Sequence, residues 1–114
     1  MGYSYDTNYR ISVPNSAGLN DVFDSLCDID TYTDNIRHDC YHGYNFIELC
    51  MEHGEVEREC FLEKVEKVSK KHTDIIITIQ GHGNKFGDLF VAHFLNGKMD
   101  FVKIELMTTP KFGK

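Results

Sequence analysis

Asn96-Gly97 stands between two largely apolar runs, Leu89 to Leu95 and Lys98 to Ile104, and limits the fold more than any other feature of the chain. Both residues tolerate the positive φ of a two-residue type I′ turn, so the pair predicts a β-hairpin. The short loop then sets the register. Leu95 faces Lys98, His93 faces Asp100, Val91 faces Val102 and Leu89 faces Ile104 on one side. Phe94 faces Met99, Ala92 faces Phe101 and Phe90 faces Lys103 on the other. One side is mostly aliphatic and the other mostly aromatic. One must pack on helices, and the other must meet a loop, a second subunit or a partner, because monomers seldom expose such patches.

The remaining elements follow from periodicity. Tyr9 to Val13 alternates and stops at Pro14, as a strand does before a residue without a backbone donor. Asn15 or Ser16 can cap a helix whose apolar positions Leu19, Val22, Phe23 and Leu26 recur at helical spacing. Asp28 to Gly43 shows no sustained period and reads as an irregular loop. Phe46 to Met51 reads as a strand, and Glu59 to His72 as a helix with Phe61, Leu62, Val65, Val68 and His72 on one stripe. Ile75 to Ile79 is β-branched throughout and predicts a central strand covered on both faces. Together these elements predict a single α+β domain over residues 1–114, a small, mainly antiparallel sheet with two helices packed on one face.

The chain has 18 acidic and 12 basic residues, and the imbalance is local. From Asn20 to Glu63 there are 12 acidic residues and two basic ones, a net of −10, so the rest carries +4. This balance disfavours direct nucleic-acid binding, which Lys and Arg drive. It suits docking on a partner with a basic surface. The candidate contacts are Asp28, Asp30, Asp34, Glu48, Glu52, Glu55, Glu57 and Glu59. No apolar run is long enough to cross a bilayer, and the first residues do not form a secretion signal. A cytoplasmic protein without membrane contact is expected, its four cysteines being free thiols.

Three other chemistries are legible. His38, Cys40, His42, Cys50 and His53 bring nitrogen and sulfur ligands close in sequence, which would suit a small metal-binding protein or enzyme. Their spacing matches no usual zinc pattern, and no cofactor is assigned. The Gly81 to Gly87 stretch leads into a strand rather than a helix, so it reads as a turn and not as a phosphate loop. His93 opposite Asp100 is the one acid–imidazole pair that the hairpin register creates. Finally, Phe90, Phe94, Met99 and Phe101 form the aromatic side of the hairpin, a candidate face for closing a structural homodimer.

Several of these turns recur together. Val68 to Asp74, Ile77 to Gly83, Gly87-Asp88-Leu89-Phe90 and His93 to Lys98 resemble a pattern in small accessory proteins of tailed phages. There a helix ending leads into a strand, a Gly-x-Gly turn, a Gly-Asp-aromatic strand start and an Asn-Gly-Lys hairpin. The resemblance spans roughly residues 46–99 and rests on structural turns rather than reactive groups. It implies an antiparallel α+β fold, action in the host cytoplasm, and a role such as counter-defence inhibition. The resulting expectation is a non-catalytic protein, monomeric or homodimeric, that binds and inhibits a host protein through an acidic surface.

Overall fold

The computed structural model of the chain describes residues 7–51, 58–82 and 89–104. Its strands are β1 (Thr7–Ser12), β2 (Tyr41–His42), β3 (Phe46–Met51), β4 (Ile77–His82), β5 (Leu89–Leu95) and β6 (Lys98–Ile104). They form one six-stranded sheet in the order β2-β3-β1-β4-β5-β6, antiparallel at every pairing. The helices are α1 (Leu19–Ile29), α2 (Thr31–Ile36) and α3 (Arg58–Lys71), and α1 and α3 pack on one face of the sheet. The fold is therefore α+β, with the expected hairpin at one end. Among the described residues no helix is long and apolar enough to cross a membrane.

The hairpin register is the one that Asn96-Gly97 dictates, from Leu89 opposite Ile104 to Leu95 opposite Lys98. Asn96 and Gly97 take φ values of 51° and 79°, as a type I′ turn requires. The tip is held on α3, where the Gly97 N–H donates to the buried Ser69 hydroxyl at 3.0 Å. A Cβ at Gly97 would also lie 2.6 Å from Cγ of Lys70. Gly97→Ala is expected to lower stability by about 1–2 kcal/mol, read by urea unfolding, because the positive φ is retained and Lys70 must swing away.

Two expectations about faces are corrected by the packing. Phe90, Ala92 and Phe94 of β5 point under the helices and are buried, alongside Ile77, Ile79 and Gly81 of β4. The aromatic side of the hairpin is thus core, and Phe90 and Phe94 are closed to a dimer partner. Phe101 is half-buried and stacks on Phe90 with ring centroids 5.4 Å apart, which leaves only Met99 exposed. Nor is β4 covered twice. Its other side is open, with Thr78 half-buried and Gln80 exposed, and Ile76 just before the strand is exposed as well. Among the described residues the helices occupy one side only, so β-branched composition reflected strand propensity rather than two-sided burial.

The segment from Asp28 to Gly43 is ordered structure rather than loop. Asp28 closes the last turn of α1, Asp30 caps α2, a 3-10 turn spans Arg37–Asp39, and β2 follows. Thr31 to Ile36 is poor in strong helix formers, so tertiary contacts must hold this short helix. Asp30 supplies them. It is 2% exposed, accepts from the Thr33 hydroxyl at 2.6 Å and from Lys64 Nζ at 2.9 Å, and so ties α2 to α3.

Candidate functional site

The expected acidic contacts do not form one surface. Asp28 and Asp34 are exposed on α1 and α2, whereas Asp30 is buried and engaged by Lys64 and Thr33, which removes it from any docking role. Glu48 lies on the opposite, open side of the sheet, paired with Arg10. Glu52, Glu55 and Glu57 lie outside the described residues, and of Glu59 only the backbone, in α3, is described.

A different acidic set does converge. Asp21, Asp24 and Asp28 recur at helical spacing and form one exposed stripe on α1. Arg37 joins that stripe to α2, its guanidinium reaching Asp24 at 2.8 Å and Asp34 at 3.2 Å. The Asp34 hydrogen bond chiefly raises the basicity of Arg37 further. Asp39 is exposed at the end of the adjoining 3-10 turn. Five exposed carboxylates thus accompany one guanidinium along α1, α2 and the 3-10 turn that follows. Asp21, Asp24 and Asp39 were not singled out in the sequence. Their i, i+3, i+7 spacing with Asp28 was the available signal for the first two.

The His/Cys set is dispersed. His38 is exposed on the 3-10 turn, and the Cys40 thiol donates to the Ile36 carbonyl at 3.4 Å. His42 stacks edge-on against Phe23 at 5.9 Å between centroids. Cys50 occupies the open side of β3, and His53 lies outside the described residues. Among the described residues no three His, Cys, Asp or Glu side chains converge on a metal position. Ser25 and His72 share a hydrogen bond of 2.8 Å that fastens α1 to the end of α3.

Burial pushes the Cys40 thiol up to about 11, with the charges of Cys27 and Asp39 adding to the shift. Burial likewise raises Cys27, opposed mainly by Arg37. A thiol held above its ordinary value of 9.0 contributes stability that is complete below pH 9 and is lost as pH rises toward about 11. The unfolding midpoint of Cys40→Ser should therefore fall less steeply than that of the native chain across this interval. Parallel profiles would contradict this.

On the open side of the sheet, His93 sits opposite Asp100 as the hairpin requires, but its Nδ1 bonds the Thr78 hydroxyl at 2.9 Å. The acid–imidazole dyad is replaced by a Thr–His pair across β4 and β5. Arg10 lies over the Phe46 ring at 4.2 Å while pairing with Glu48, and Tyr41 adjoins Phe46 at 5.9 Å. These pairings depend on the registers of β1, β2 and β3, which no local motif encodes. A groove of about 580 Å³ opens near the hairpin tip, with apolar Ile76, Leu95 and Met99 beside Thr78, His93, Lys98 and Asp100.

No protein-family model matches the sequence, and no characterised protein or solved structure matches it at a significant level.

Proposed function

We propose that this chain is a non-catalytic binding protein of the phage-accessory type that docks on a basic surface of a host protein and blocks its work. The carrying observation is the exposed carboxylate stripe of α1, joined through Arg37 to Asp34 of α2. Such a predominantly acidic surface attracts a cationic partner over a distance and orients it before contact. Host proteins that grip nucleic acid present the complementary cationic grooves. The docking surface assigned here is Asp21, Asp24, Asp28, Asp34 and Asp39, in place of the scattered set read from the sequence. The cytoplasmic setting belongs to the same proposal, because a basic intracellular partner would be met there.

The test is calorimetric titration of a peptide rich in lysine and arginine at low ionic strength. The native chain should bind, and binding should weaken with added salt, since exposed charges are screened beyond about 8 Å at physiological ionic strength. Asp21→Lys with Asp28→Lys and Asp34→Lys should weaken it by about tenfold or more. Equal affinity of variant and native chain would contradict the proposal.

A further inference from the structure

We infer that the open side of the sheet near the hairpin tip is a self-association surface, covered in solution by a second copy of this chain. The face there carries exposed apolar side chains: Ile76, Leu95 and Val102 are 43%, 45% and 50% accessible. Exposed apolar side chains gathered on one face of a small sheet, interleaved with a few polar groups, mark a contact surface.

Charge identifies the occupant. The chain carries −6 overall, and α1, α2 and the turn after them carry five exposed carboxylates against one guanidinium, so two copies repel one another along those helices. On the open side, Arg10 is balanced by Glu48 and Lys98 by Asp100. This neutral face is the approach that keeps the two acidic sides apart. Lys98 and Asp100 also stand two residues apart on the same side of β6, and neither has an ion-pair partner among the described residues. About a two-fold axis passing between them, Lys98 of each copy meets Asp100 of the other, because a two-fold interface brings the same patch together reciprocally. A strongly cationic or anionic partner would leave one member of that pair unmatched.

The polar groups on the face are prepared for cover. The Thr78 hydroxyl and His93 imidazole satisfy one another at 2.9 Å, so they enter the contact already hydrogen-bonded. Leu95 from the second copy supplies the apolar volume that the 580 Å³ groove can take. The arrangement places the sheets inside and the helices outside, and so presents two acidic stripes on one assembly. Self-association of the open face does not depend on what those stripes bind.

Sedimentation equilibrium tests it. The native chain should reach twice its 13.2 kDa mass as concentration rises. Leu95→Asp should weaken the dimer by about tenfold or more. Lys98→Asp should do likewise by juxtaposing carboxylates, and adding Asp100→Lys should restore the dimer by exchanging the charges. Asp28→Lys, on the helical side, should leave it intact. A native chain that stays at 13.2 kDa overturns the inference, as does a dimer indifferent to both Leu95→Asp and Lys98→Asp. A monomer whose groove instead takes an extended peptide also overturns it, and would assign the face to a different occupant.

Discussion

Asp30→Ala is expected to lower the free energy of unfolding by about 3 kcal/mol, toward the lower end of what breaking a buried ion pair costs. Asp30 is 2% exposed and receives two hydrogen bonds, one charged and one neutral. Removing its carboxylate leaves the buried Thr33 hydroxyl without its acceptor and Lys64 without its counter-charge. The Lys64 side chain is 35% exposed, so its ammonium can turn toward water, which keeps the loss from being larger. Urea unfolding at neutral pH reads the effect. Asp30→Leu combined with Lys64→Met should recover much of it, since a packed apolar pair often matches a buried ionic one. A loss under about 1 kcal/mol for Asp30→Ala would mean that α2 is held by other contacts.

Gly81→Ala carries the second large effect, about 2–3 kcal/mol, through overpacking rather than lost bonding. A Cβ built at Gly81 falls 2.3 Å from Cε1 and 2.5 Å from Cζ of Phe90, and 3.0 Å from Cδ1 of Tyr9. Those rings belong to a tight stack in which Tyr9 lies 4.4 Å from Phe61 and 6.1 Å from Phe90, centroid to centroid. With α3 above and the sheet below, Phe90 has little room to retreat. Gly81→Ala with Phe90→Leu should recover part of the stability, because leucine lacks the ring atoms that the methyl meets. A thermal midpoint unchanged by Gly81→Ala would show that the stack can shift freely.

The same glycine explains what the sequence could and could not reveal. Asn96-Gly97 encodes its own backbone conformation, so the hairpin and every cross-strand pair in it were legible locally. α1 and α3 were legible because Leu19, Val22, Phe23 and Leu26, and likewise Phe61, Leu62, Val65 and Val68, recur with the helical period. Which side of the hairpin faces the helices is not a local property. It depends on β4 lying against β5 with Gly81 opposite Phe90, where only a residue without a Cβ leaves space for the ring. A glycine two positions beyond the β-branched run was the clue to that side.

The site was less legible for a related reason. Composition located the acidic region but could not separate the buried Asp30 from the exposed Asp28, because their difference lies in Lys64, 34 residues away in sequence. α2 escaped periodicity because six residues give too little pattern, and its Thr, Asp and Asn favour caps and turns in isolation. The Arg10–Phe46–Glu48 contact likewise joins residues of two strands distant in sequence. Charge patterning identified the region of interest, and tertiary pairing decided which carboxylates remained available.

The fold thus sets two surfaces apart by physical character: an exposed carboxylate set on α1, α2 and the turn after them, and a charge-balanced, partly apolar field on the open side of the sheet. Docking on a basic partner belongs to the first. Native mass spectrometry of the protein recovered gently from a bacterial host lysate tests it most directly, beside the triple variant of Asp21, Asp28 and Asp34 to lysine. The expected result is a metal-free chain carrying a basic host protein in fixed stoichiometry, and loss of that partner from the variant. A partner retained equally by the variant, or a native species carrying zinc and no protein, would contradict it.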